Sequence, residues 1–291
     1  MRMIASIVMC ALASICAGSA NAADLPFKAP PPPPPVFSWT GLYVGGNVGG
    51  SIGVNSNTQS TTFSSTALGV NGLLTGSTGS LALPGWVAGG QIGLNWQVSP
   101  LIVLGIEADW QWTSEKGSTT NSTPPADLSF FGAGANGFGY SLATQQKLTD
   151  IATARVRGGV LIHDSLWYVT GGAAWGTVKN SYAFSGSANP VIFPLALQPG
   201  PFLASSGDFT TRDKVGWTVG AGVETRLGAG WSVKAEYLYV DLGTVTDILP
   251  ISINPAFGAA FVNGGQANAT SSSHVTDNII RVGLNYKFFN N

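Results

Sequence analysis

Ile280-Arg281-Val282-Gly283-Leu284-Asn285-Tyr286-Lys287-Phe288 alternates strictly between apolar and polar or small residues. Side chains of a strand point alternately to its two faces. Ile280, Val282, Leu284, Tyr286 and Phe288 therefore share a face suited to hydrocarbon. Arg281, Gly283, Asn285 and Lys287 share the other. An aromatic-ended strand near the C-terminus, with charges on its reverse face, is the pattern expected of the closing strand of a transmembrane β-barrel.

The same period recurs upstream. Expected strands run over 41–51, 86–97, 101–112, 150–162, 166–178, 215–227 and 231–241, and the terminal strand makes eight. The clearest is 101–112, where Ile102, Leu104, Ile106, Ala108, Trp110 and Trp112 alternate with Glu107, Asp109 and Gln111. The predicted fold class is all-β: a transmembrane, eight-stranded, antiparallel up-and-down barrel. Connections alternate too. Val98-Ser99-Pro100, His163-Asp164-Ser165 and Gly228-Ala229-Gly230 are tight, whereas 52–83, 113–147, 179–212 and 244–274 are each roughly 30 residues long. Bacterial barrels pair short periplasmic turns with long extracellular loops. This predicts periplasmic N- and C-termini and four long loops outside.

Composition agrees. Charged residues are 9% of the chain, against about 25% in soluble proteins. After the N-terminal segment, nothing approaches the roughly 20 consecutive apolar residues that a spanning helix needs. A net charge of -1 predicts no nucleic-acid partner. Arg2, the apolar run 4–15 and Ala20-Asn21-Ala22 have the order of an export signal, so 1–22 is read as a signal peptide. Cys10 and Cys16 fall within it, leaving no thiol chemistry in the mature chain. The prolines at 30–35 favour polyproline II, making 23–36 a periplasmic spacer before a barrel over 37–291.

Trp39, Trp96, Trp167 and Trp231 fall at the expected periplasmic strand ends, and Trp86, Trp110, Trp112, Trp175 and Trp217 at the outer ends. Two aromatic girdles are expected of a membrane barrel. A soluble sandwich, the rival fold, would gather its tryptophans at mid-strand.

Eight strands leave a lumen that side chains can fill. The inward parity collects Glu107, Asp109, Glu224 and Glu236 against Arg155, Arg157, Arg226, Lys234, Arg281 and Lys287. Buried charges must pair, so an ion-pair network plugging the lumen is expected. If Leu227 pairs with Trp231, Glu224 lies opposite Lys234.

Catalytic, metal and cofactor signals are weak. Two histidines and no mature cysteine do not make a metal site, and no cofactor is expected. His163 sits in a tight turn. His274 follows Ser271, Ser272 and Ser273 with no evident third group to orient it, so a lipid hydrolase is a minor alternative and the chain is read as no enzyme.

Phe37-Ser38-Trp39-Thr40-Gly41-Leu42-Tyr43-Val44-Gly45-Gly46-Asn47, Thr153-Ala154-Arg155-Val156-Arg157-Gly158-Gly159, Gly216-Trp217-Thr218-Val219-Gly220-Ala221-Gly222-Val223-Glu224 and Ala235-Glu236-Tyr237-Leu238-Tyr239-Val240-Asp241 resemble the strands of small immunogenic outer-membrane β-barrels of Gram-negative bacteria. These are porin-family surface antigens related to the outer membrane protein A and opacity-protein barrels. The resemblance implies outer-membrane residence and surface-antigen behaviour, with a role in envelope integrity. Outer-membrane lipid and lipopolysaccharide, the barrel-assembly machinery (reading Ile280, Val282, Leu284, Tyr286 and Phe288 as its signal) and a host or phage surface ligand are the expected partners. The alternatives are a narrow porin-like diffusion channel and a small-ligand surface binder, for example of haem. Phe289-Asn290-Asn291 trail the terminal aromatic, a departure from the family pattern. No signal of oligomeric state is visible.

Overall fold

A computed structural model describes residues 37–65, 70–127, 136–188, 201–253 and 266–288. The signal peptide, the proline spacer, the four hairpin tips and Phe289-Asn290-Asn291 lie outside the described residues. The strands are β1 (Gly41–Ser65), β2 (Val70–Gln97), β3 (Ile102–Thr113), β4 (Lys116–Asp127), β5 (Asn136–Ile162), β6 (Ser165–Ala188), β7 (Pro201–Gly228), β8 (Trp231–Ile253) and β9 (Gln266–Lys287).

All pairings are antiparallel. The sheet order is β3-β2-β1-β9-β8-β7-β6-β5-β4, and a further β3–β5 pairing closes it into a ring. β3 and β4 both pair with β5, through Trp112↔Asp150 and Lys116↔Lys147. They are two halves of one stave, interrupted at Ser114 and Glu115. The barrel therefore has eight staves, as the alternation predicts.

Its outer face matches the expected parity. Ile106 is 49% exposed, Ile280 69%, Trp110 47% and Trp217 49%, while Arg281 and Lys234 are each 1% exposed. In water such a surface would be strongly unfavourable. Against hydrocarbon it is the surface required. The tight turns use left-handed backbone at His163 (φ 57°), Gly228 (φ 105°) and Gly230 (φ 84°).

The long connections correct the sequence reading, because they are loops over only a fraction of their length. β1 and β2 stay in register from Gly41↔Asn95 to Thr61↔Thr75. β2, at 28 residues, far exceeds the roughly 9–11 that a membrane-crossing strand needs. Past the outer tryptophans the outward face turns polar, with Ser56 and Thr58 exposed. The inward face carries buried Asn55, Asn57 and Gln59. A ladder wetted outside and polar inside has no hydrophobic alternation, so its sequence reads as loop.

Trp39 is a second correction. It is 6% exposed and packs with Val103, Leu166, Tyr168 and Phe37 inside the short-turn mouth, capping the lumen rather than joining a girdle. The other eight tryptophans are exposed, between 41% (Trp175) and 57% (Trp86).

Candidate functional site: the filled lumen

Inward residues of β3, β5, β7, β8 and β9 meet at one level of the barrel. Arg155 reaches three carboxylates: its Nη2 donates to Glu107 Oε1 and, at 2.7 Å, to Asp109 Oδ2, and its Nη1 donates to Glu236 Oε1 at 3.0 Å. Arg281 donates to Asp109 at 3.0 Å and to Glu236 from both Nε (2.8 Å) and Nη2 (2.6 Å). Lys234 Nζ lies 2.8 and 3.0 Å from the two oxygens of Glu107. Arg157 Nη1 donates to Glu224 Oε2 at 2.9 Å, and Arg157 Nε to Asn95 Oδ1 at 2.9 Å.

Glu224 and Lys234 do stand opposite each other on the backbone. Their head groups nevertheless part company. Lys234 crosses to Glu107 on β3, and Glu224 takes Arg157 together with Ser232 Oγ at 2.6 Å and Asn285 Nδ2 at 2.8 Å. In a narrow lumen a long side chain selects its partner across the axis.

Arg226 and Lys287 stand apart from the network. Both lie beyond its level, where the Phe37 ring faces them at 4.2 and 4.3 Å, and Lys287 Nζ donates to the Ser38 carbonyl. Tyr43 and Tyr168 are members that the sequence reading left out. Their hydroxyls donate to Glu107 at 2.6 Å and to Glu236 at 3.0 Å, and their rings flank the Arg157 guanidinium at 4.8 and 5.1 Å. Their inward parity, set against outward Leu42 and Trp167, was the available signal.

On the long-hairpin side of this level the lumen turns apolar. Val87, Ile151, Leu238, Val240, Val275 and Ile279 form one buried cluster. Higher still, Asp247 Oδ2 accepts from Asn180 Nδ2 at 2.8 Å and Tyr182 Oη at 3.0 Å. Burial, with Asp247 beside it, pushes the Tyr182 hydroxyl pKa up, so it remains a donor.

His274 lies on the outward wall with a neighbour the sequence did not suggest. Its Nε2 is 3.3 Å from Asp241 Oδ2, and its Nδ1 is 3.2 Å from Thr244 Oγ1. Ile280, Val282, Leu284, Tyr286 and Phe288, the residues read from the sequence as an assembly signal, all face outward.

An outward apolar belt, a closed eight-stave ladder and a charged interior coincide with a match of residues 9–288 to the model of the outer membrane protein beta-barrel domain. The chain belongs to this outer-membrane β-barrel family. It is 32% identical over 288 residues to the 31 kDa outer-membrane immunogenic protein of Brucella melitensis, covering 97% of this chain and 99% of that one. It is 26% identical over 302 residues to the 25 kDa outer-membrane immunogenic protein of Brucella abortus, covering 99% and 100%. Among solved structures, the outer membrane protein OprG from Pseudomonas aeruginosa aligns at 10% identity with a TM-score of 0.36, over 85% of this chain and 97% of that one. This outer-membrane barrel therefore has lipid as the solvent of its apolar belt, and the buried network forms the interior of its membrane-spanning part.

Proposed function

We propose that this barrel is a non-conducting structural protein of the outer membrane that supports envelope integrity and displays its four long hairpins at the cell surface, in the manner of an antigen or adhesin. The observation that carries this reading is the filled cross-section. Arg155, Lys234 and Arg281 side chains have no solvent exposure and span the lumen to Glu107, Asp109 and Glu236. A hydrated solute has no polar path through such a layer without breaking several buried charge pairs, each costly to separate. The short turns are assigned to the periplasm and the hairpins to the exterior by the length rule for bacterial barrels, and the immunogenic relatives suit that display. Catalysis has no part in the proposal: the bonds of His274 to Asp241 and Thr244 are taken as ties between β8 and β9.

Planar-bilayer recording of the refolded full chain tests it. The expected trace is silent, and deletion of the gene should sensitise cells to detergent. Large, stable conductance steps would replace this reading with a diffusion channel.

A further inference from the structure

Three lysines stand in one row on the outer wall. Lys116 on β4 pairs with Lys147 on β5, and Lys147 pairs with Lys179 on β6. Residues directly opposite each other in an antiparallel pair share a face. Here it is the outward face, because the flanking Glu115, Gln146, Leu148, Val178 and Asn180 are buried toward the lumen. The row continues to Thr211 on β7. Among the described residues no carboxylate stands on it.

Like charges directly opposite one another destabilise a sheet. Two outward acids, Asp150 and Asp213, lie one rung nearer the apolar belt, level with Trp112 and Thr177. Their hydrogen bonds run to threonines. Thr177 Oγ1 lies 3.2 Å from Asp150 Oδ2 and 3.0 Å from Asp213 Oδ1, and Thr149 Oγ1 donates to Asp150 Oδ1 at 2.9 Å. The next cations around the wall are held elsewhere. Arg212 Nε lies 3.2 Å from Asp247 Oδ1, and Lys214 Nζ donates to the Thr244 carbonyl at 2.5 Å.

The height of the row says what meets it. Lys116 follows Trp112 by four residues, and Lys179 follows Trp175 by four. At about 3.3 Å per residue and a tilt of about 40°, the row stands about 10 Å beyond the outer girdle. That girdle marks the edge of the hydrocarbon, and lipid headgroups fill the next roughly 5–8 Å. Lysine stems bend to place their ammonium groups in such a layer. Neighbouring strands are about 4.8 Å apart, so one phosphate can touch two adjacent ammonium groups and cancel their repulsion.

We propose that Lys116, Lys147 and Lys179 form a binding site for the phosphorylated headgroup of lipopolysaccharide in the outer leaflet. The proposal deepens the reading above and rests on its assignment of the long hairpins to the exterior. The lipid would brace β4, β5 and β6 from outside, next to the fork where β3 gives way to β4.

Thermal unfolding of the refolded full chain in detergent micelles, followed by gel mobility with purified lipopolysaccharide as titrant, is the test. Lipopolysaccharide should raise the wild-type midpoint. The variant carrying Lys116→Gln, Lys147→Gln and Lys179→Gln should need roughly a hundredfold more for the same rise. Lys179→Gln alone, expected to need about fivefold more, serves where the triple variant fails to refold. Equal response of wild type and variants overturns the proposal. So does a full response to lipopolysaccharide stripped of its phosphates, to inorganic phosphate alone, or to heparin as a soluble polyanion. Micelles have no sidedness, so such a failure leaves the exterior assignment standing; a thiol label on Thr58→Cys in intact cells tests that assignment by itself.

Discussion

Arg155 shows how much one side chain holds together here. It bonds Glu107, Asp109 and Glu236 from a fully buried position. Arg155→Met would leave those carboxylates short of a counter-charge, at a cost of about 3–5 kcal/mol. Urea unfolding in detergent micelles should show a lowered midpoint with an unchanged slope. Glycine matters at the same scale. A Cβ at inward Gly93 would stand 2.2 Å from Tyr43 Cζ, whereas at outward Gly90 the nearest atom, Gly45 O, is 3.7 Å away. Gly93→Ala should displace Tyr43 from Glu107 and cost about 1–3 kcal/mol, and Gly90→Ala should stay within about 0.5 kcal/mol. The same unfolding assay separates them. Parity alone identified most of the network. Partner choice stayed hidden because it depends on reach across the lumen, as the divergence of Glu224 and Lys234 shows. Trp39 was legible and misplaced: it shares the inward parity of Tyr43, which outweighs its position at a strand end.

Strands carry two different solvents along one length. Ile106 on β3 is 49% exposed within the apolar belt, while Thr58 on β1 is exposed beyond it. Ile106→Lys should destabilise the barrel by about 2–4 kcal/mol, the cost of a cation at lipid mid-depth. Thr58→Lys should change stability by no more than about 0.5 kcal/mol. Refolding yield and urea midpoint in lipid vesicles measure both, and an equal loss would place Thr58 in hydrocarbon. This boundary also explains what sequence reading recovered. Within the belt, lipid outside and charge inside write a period of two that is visible from Ile102 to Trp112. Above it, Ser56, Thr58 and their neighbours face water while Asn55 and Asn57 face a polar interior, so the contrast vanishes although the ladder continues.

Among the described residues, side chains fill the lumen at three successive levels. Trp39, Phe37 and Leu166 cap the short-turn mouth, the ion pairs fill the centre, and Leu238, Val240 and Ile279 form an apolar layer beyond. On the non-conducting reading proposed above, each level would oppose ion passage by different physics: steric blockage, charge pairs that must be broken, and dewetting in an apolar constriction. They act in series, so removing one leaves the others standing. Arg281→Gln alone should weaken the fold yet record as silently as wild type in planar bilayers. Combining it with Trp39→Ala and Leu238→Ser breaches all three and should yield discrete conductance steps, provided gel mobility shows the variant folded. Steps from Arg281→Gln by itself would mean that the charged level is the sole barrier, and the apolar layer and aromatic cap would then be packing without a sealing role.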